Sequence, residues 1–519
     1  MSENEEHMGS SEEGSSVAPA AAGAASGPRS LHIGLVAQGW KPDVGGIESH
    51  TADLVRELMA LGHRVSVLAL DYSGLSENYG TTHDVQDGVH VTRMSYNYGD
   101  HRALAQMVRN RRAEEAVAAW LRMRQPDVVH AHHLTGFGTG ALARMHGEGV
   151  PIVMTLHDYW TLCPRGQMVR WAEKPLEGEI CGGLNPDVCG RCIGRSFPHL
   201  MPSHGAPLRS PWDGSSDDEP SYLALMEGQD PDGLVAAHRT AYAIECLKCA
   251  DVLITPSRRT KAIFTDICEP MGLDGKAIRV VENGVDVDGL AEEVARLREA
   301  DPRPEPPERP LVLGIVGSVL PSKGVLELAM AFAEGQAQGR FAEHGGLHLE
   351  IHGNFPSYHG QRGYIDALEV LAGATPNLDL AGPFEHGGLA RVLAGLDAVA
   401  APSRWQEVFG LTVREARSAG LPVIVSDVGD LPSVTDGGQA GLVMPAPNGE
   451  AGRKQWIEGL VRLVSDHEAR TTWAAHRRRP HSAAAMATEL AGIYCEAIES
   501  RLPKARDLAP DTREALGEA

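Results

Sequence analysis

The sequence predicts an α/β chain made of two doubly wound, largely parallel sheet units in series. Three observations predict it. A chain of 519 residues is too long for one hydrophobic core. The same order of apolar strand, Gly-rich loop, amphipathic helix and strand opens at Leu31 and again at Leu311. Between them, residues 301–310 read DPRPEPPERP, a charged, Pro-rich linker.

Taken in order, residues 1–30 are rich in Ser, Ala, Gly and Glu and hold no apolar h-region. They read as a disordered tail rather than a signal peptide. The first unit covers residues 31–300. LHIGLV is its first strand, and Gly39 to Gly46 form a Gly-rich loop. Gly45 and Gly46 head the next helix, either as a plain tight turn or facing a phosphate or an acceptor. Ile47, Thr51, Leu54, Val55, Leu58 and Leu61 share one face of that helix, Gly62 ends it, and VSVLAL follows as a strand. Residues 101–124 read as one helix carrying Arg102, Arg109, Arg111, Arg112, Arg122 and Arg124. A solvated face is the plain reading. The sharper one is a patch that docks on an anionic membrane or steers an anionic acceptor.

Asp127 begins a strand that runs through His130 into His132 and His133, and TLHDYW ends the next strand at His157. Open α/β sheets place ligands at such strand ends. Imidazoles there can bind sugar hydroxyls. The spacing raises metal binding too, but His130 and His132 fall on one strand face and no matching carboxylate motif accompanies them.

An insertion at about 160–240 holds Cys163, Cys181, Cys189 and Cys192, the last pair at knuckle spacing. Four thiolates suit a closed tetrahedral zinc site, with an iron–sulfur cluster ranked behind it. Unlinked buried thiols and disulfides are the rival readings, and the absence of a signal peptide weighs against disulfides. Cys246 and Cys249 read as core thiols. VVENGVDVDGL closes the unit, with a tight bend at Asn283-Gly284.

The second unit spans residues 311–480. Its first strand leads to Gly317, Ser318 and Lys323-Gly324, then an apolar helix. A lysine at such a turn can neutralise a leaving diphosphate. LHLEIHGN, NLDLAGPF and LDAVAAPS supply further strands. The stretch Pro402 to Pro432 then gives loop, helix and buried strand: Glu407, Phe409-Gly410-Leu411, Glu415 after seven intervening residues, and Leu421 to Val425. A helix that starts after a glycine offers free N–H groups and a positive dipole end to a diphosphate. Residues 481–504 form a final Ala-rich helix, and residues 505–519 are a loose tail.

The Glu407/Glu415 spacing, Phe409-Gly410-Leu411, Ala419 to Ile424 and Asp430-Leu431-Pro432 together resemble the donor-site signature of the retaining glycosyltransferases of family 4 (group 1), from about Leu31 to Lys504. Within that family the chain resembles a subset with HDYW-x-LCPR that carries similar cysteines. The resemblance implies the GT-B architecture, two Rossmann-like domains facing a central cleft, with the last helix returning to the first. It implies a catalytic set of His157, Lys323 and Glu407. Donor contacts would come from Ser318, Lys323, Arg404, Glu407, Phe409, Gly410, Leu411 and Glu415. Gly45, Gly46, His130, His132 and Asn283 would line the acceptor side. Where the family commonly places Arg after the first Gly, this chain has Ser318, and Arg404 is the residue expected to substitute. No cofactor is required for catalysis by this scheme.

Composition agrees. With 47 basic and 69 acidic side chains, 47 − 69 gives −22, which excludes nucleic acid as a default partner. No apolar run is long enough for a transmembrane helix. Eight cysteines without a signal peptide suggest the cytoplasm, with peripheral contact at the inner membrane face left open. The function expected is retaining transfer of a sugar from a UDP- or GDP-linked donor to an unknown carbohydrate, lipid-linked or small-molecule acceptor, in polysaccharide, glycolipid or glycoside biosynthesis. The rivals are a nucleotide-sugar epimerase of GT-B fold and a non-catalytic, zinc-stabilised sugar-binding module.

Overall fold

The computed structural model describes residues 30–41, 45–74, 76–170, 179–212, 230–285, 287–358, 362–385, 387–476 and 480–501. The expected tails at 1–30 and 505–519 lie outside these residues, apart from Ser30. So do parts of the cysteine-bearing insertion.

The first sheet holds β1 (His32–Val36), β2 (Arg64–Asp71), β3 (Thr81–Gln86), β4 (Val89–Ser95), β5 (Val128–Ala131) and β6 (Ile152–Thr155). A small hairpin of β7 (Val169–Arg170) and β8 (Glu179–Ile180) stands apart, and β9 (Val252–Thr255) and β10 (Ile278–Val280) complete the first sheet. Its order is β10-β9-β6-β5-β1-β2-β4-β3. Only β3 runs antiparallel, against β4. The central strands are buried along their whole length, which is why they read as apolar runs rather than alternating ones.

The second sheet holds β11 (Leu311–Val316), β12 (Leu347–His352), β13 (Leu378–Gly382), β14 (Ala398–Ala401), β15 (Val423–Ser426) and β16 (Gly441–Met444), in the order β13-β12-β11-β14-β15-β16. All its pairings are parallel. That is the doubly wound 3-2-1-4-5-6 order. Each sheet reverses direction at its first strand, between β1 and β5 and between β11 and β14. Ligands of such sheets gather outside the strand ends at this switch.

Three expectations are corrected. Residues 101–124 do not form one helix. Leu104–Met107 is a 3-10 turn, and the α-helix is Arg111–Arg124, capped by the Asn110 side chain on the Ala113 N–H. Its arginines do not make one patch. Arg109 donates to Pro211 O at 2.8 Å, Arg112 stacks 4.4 Å from the Tyr79 ring, and Arg122 bonds Glu148 at 2.8 Å. Leu61 follows the Gly46–Ala60 helix as its cap and is 43% exposed, so it leaves the core face. The β3–β4 hairpin was not anticipated. Its turn is Asp87-Gly88, both at positive φ (51° and 81°), a pairing that favours tight hairpins.

The helix Ala483–Arg501 packs Met486, Leu490, Ile493 and Tyr494 into the same apolar cluster as Ile33, Leu35, Val65, Val67 and Val128 of the first sheet. No helix among the described residues is long and apolar enough to cross a membrane.

Candidate active site

The site is built where the β11 and β14 ends meet. After β11 the chain turns through Pro321–Lys323 and enters the helix Val325–Ala337. After β14 it runs through Ser403 to Glu407 and enters the helix Leu411–Ser418. The two loops interlock. The Arg404 N–H donates to Ser322 O at 2.7 Å. Gly324 has φ +68°, and a Cβ there would sit 2.0 Å from Pro402 O, so only glycine allows this approach.

Glu407, 7% exposed, accepts from Lys323 Nζ at 2.8 and 3.0 Å, from Ser403 Oγ at 2.8 Å and from Trp405 Nε1 at 2.7 Å. A buried carboxylate needs its lone pairs filled by donors like these. Lys323 Nζ also lies 5.2 Å from the Trp405 ring centroid, while its side chain stays 34% exposed. The backbone is fixed as tightly. Asp430 N–H donates to Glu407 O at 2.7 Å, and a Cβ on Gly429 would fall 2.1 Å from that same oxygen.

Gly410, at φ +72°, heads the Leu411–Ser418 helix. Arg414 donates from Nε to Phe409 O at 3.0 Å, lies 4.1 Å from the Phe409 ring centroid and pairs with Asp430, which locks the turn. The loop also docks on the first sheet's half: Ser257 Oγ and Thr260 Oγ1 donate to Val408 O at 2.8 and 3.1 Å. Phe409 and Leu411 pack with Val285, just after Asn283-Gly284.

Glu415 faces a cleft of about 290 Å³ lined also by Ser49, His50, Asp53, Gly284 and Leu411. Its carboxyl is pushed up to about 7, by burial first and by Asp53 second. On the opposite wall, ring nitrogens of His50, His132 and His157 lie within 4.8 Å of one another. His132 Nδ1 and His157 Nε2 share a hydrogen bond of 3.1 Å. Burial lowers His50 to about 4, and burial with neighbouring imidazoles holds His132 and His157 well below the ordinary value. These rings are neutral near pH 7. Such a group can bind hydroxyls, and its geometry can also hold a metal ion.

The structure therefore brings Lys323, Glu407, Phe409, Gly410, Leu411 and Glu415 together, with His157, Gly45, Gly46 and Asn283 on elements that border the same cleft. Ser318 is exposed after β11. Two residues are corrected. Arg404 is 1% exposed and is committed to a buried pair with Glu327 and a 2.6 Å bond to Asn448 Oδ1, so it braces the loop rather than presenting itself to a phosphate. His130 is 0% exposed and both ring nitrogens are used, by Tyr494 Oη and Thr155 Oγ1, each at 2.8 Å. It pins the last helix to the first sheet and does not reach an acceptor. His132 is also 0% exposed, and its Nδ1 is taken by the bond to His157 Nε2. Sequence reasoning missed His50, Asp53 and Trp405. The signal for His50 was a histidine four residues before Leu54 on the core-facing side of its helix.

Residues 44–180 match the family model described as Glycosyltransferase Family 4, and residues 310–466 match Glycosyl transferases group 1. A D-inositol 3-phosphate glycosyltransferase of Corynebacterium jeikeium is 30% identical over 260 residues, which is 49% of this chain and 58% of that protein. The chain thus aligns with little more than half the length of that relative. Among solved structures, sucrose-phosphate synthase of Thermosynechococcus elongatus superposes with a TM-score of 0.58 at 16% identity, covering 91% of this chain and 100% of that one. HepE of Anabaena, in complex with UDP and glucose, gives 0.51 at 16% identity, with 91% and 99% covered. Two segments of the chain thus match a family 4 and a group 1 glycosyltransferase model, and its two Rossmann-like domains share the GT-B fold.

Proposed function

We propose that the protein transfers a sugar from a nucleoside-diphosphate donor to an acceptor hydroxyl, with retention of anomeric configuration. The observation that carries this reading is the Lys323–Glu407 pair, set at the switch point beside a helix that begins at Gly410. Lys323 and the first N–H groups of that helix supply positive charge where a diphosphate leaves. Glu415, on the same helix, accepts from the ribose hydroxyls. Glu407 and His157 hold the sugar. The bond from the anomeric carbon to the diphosphate oxygen loosens, and the acceptor oxygen attacks from the same face. Its proton passes to a phosphate oxygen of the leaving group. Lys323 and the helix terminus provide the charge, so no step runs through a metal.

The UDP and glucose in HepE support a UDP-sugar as the first donor to test. The name of the Corynebacterium relative makes D-inositol 3-phosphate the first acceptor.

The test is an NMR time course with α-linked UDP-glucose and an acceptor panel that includes D-inositol 3-phosphate. An α-glycoside is expected, with Lys323→Met slower by about 10²–10³-fold in kcat. A β-glycoside would sink the retaining mechanism. Epimerisation of the donor alone would assign the site to an epimerase instead.

A further inference from the structure

Four of the eight cysteines converge far from the glutamate pair in sequence. Cys163 follows the TLHDYW turn, Cys181 follows β8, and Cys189 and Cys192 lie on the helix Pro186–Ser196. All four line one cavity of about 30 Å³. Its other walls include Leu162, Met168, Val169 and Ile193. That volume takes more than a single water-sized occupant. None of the four is in a disulfide.

We propose that Cys163, Cys181, Cys189 and Cys192 bind a thiolate-ligated metal centre that holds this lobe against both halves of the molecule. A cation in the cavity would take the four sulfurs as thiolates, the form in which cysteine ligates metal. Four thiolates on a divalent ion or on an iron–sulfur cluster leave net negative charge. Arg165 and Arg239 both act on Cys163 and offset it. Arg165 is itself held by Ser196 Oγ at 2.5 Å and Cys192 O at 3.4 Å.

The lobe spans the two halves. Arg165 Nη2 bonds Tyr358 Oη at 3.4 Å, and Tyr358 Oη donates to Gln167 at 3.1 Å, which ties the turn after Cys163 to the segment following β12. Ile180, beside Cys181, packs against the apolar cluster of Val413, Val423 and Leu431. A centre that fixes the four sulfurs therefore fixes contacts to the helix carrying Glu415.

Two occupants share this chemistry, and spacing separates them. One zinc ion at about 2.3 Å from each sulfur needs sulfurs about 3.8 Å apart. No three of these thiols lie within 4.8 Å of one another, since the only such group among the described residues is the histidine trio. A zinc ion would draw the sulfurs inward, whereas a four-iron cluster would hold them apart.

The test uses the full chain, expressed with zinc and iron supplied and purified without oxygen. Zinc, iron and acid-labile sulfide are measured with the visible spectrum on the same sample. Either about one zinc per chain with no visible absorption, or iron and sulfide in equal amounts with absorption bleached by dithionite, supports the centre and says which occupant it takes. Cys189→Ser and Cys192→Ser should lose at least about 90% of that metal, while Cys249→Ser, outside the cavity, keeps it. If the serine variants do not fold, a mercurial titration of the wild-type chain replaces them, and metal should leave in step with thiol capture. A metal-free wild-type chain, or metal retained through that titration, overturns the proposal.

Discussion

Glu415 makes the most specific prediction. Its carboxyl sits near 7 because burial and Asp53 both penalise the charge. A carboxylate accepts from two ribose hydroxyls best when ionised, so a nucleotide must expel the proton to bind. The sign follows from a raised acid value: affinity is full above about 7 and falls as pH drops below it. With a bound-state value near the ordinary one, going from pH 8 to pH 6 takes the ionised fraction in the free protein from about 0.9 to about 0.1. That is about tenfold in Kd, or about 1.4 kcal/mol. Calorimetry with UDP-glucose, whose phosphodiester groups do not titrate in this range, reads it directly. Two buffers of different ionisation enthalpy count the released proton. Glu415→Gln should bind more weakly at pH 8 and lose the pH slope. Asp53→Asn should move the midpoint below 7. A flat profile in the wild-type protein, or the same slope in Glu415→Gln, refutes the reasoning.

Removing Arg404 leaves Glu327 buried without its cation, so Arg404→Leu should cost about 3–5 kcal/mol in chemical denaturation, while Arg404→Leu with Glu327→Leu recovers much of it. Equal stability with weaker nucleotide binding would return Arg404 to the phosphate. Gly429→Ala drives a Cβ to 2.1 Å from Glu407 O at φ +56°, so kcat should fall by about 10²-fold as the glutamate shifts. An unchanged kcat would show that the loop tolerates the displacement. Brief EDTA treatment that leaves the zinc and iron content of the cysteine cavity unchanged should leave turnover intact. Turnover that is lost with EDTA and restored by a divalent ion would move the charge-supplying role from Lys323 to the His50, His132 and His157 group.

The sheet topology was legible because its strands are short apolar runs closed by Gly and Pro, and both switch points carry Gly-rich loops. The Glu407–Glu415 motif was legible as a string, since Glu407, Gly410 and Glu415 are neighbours in one loop and helix. What was not legible is pairing across distance. Arg404 and Glu327 are 77 residues apart, and only packing shows that the guanidinium turns inward. His130 meets Tyr494 across 364 residues, which converts an apparent ligand into a tether. His50 was passed over because helical periodicity counts apolar residues, and a neutral buried histidine behaves like one. The break at 101–110 escaped notice because Asn110 caps a new helix inside a charged, helix-favouring stretch.

The most direct test of the central claim is an equilibrium titration of the protein with UDP, GDP and ADP, repeated with Glu415→Ala. One nucleotide should bind between about 1 μM and 1 mM, as donors of working enzymes do, and at least about tenfold more weakly to the variant at unchanged melting temperature. No binding by any of the three, or identical binding by the variant, would contradict a nucleotide-sugar site in this cleft.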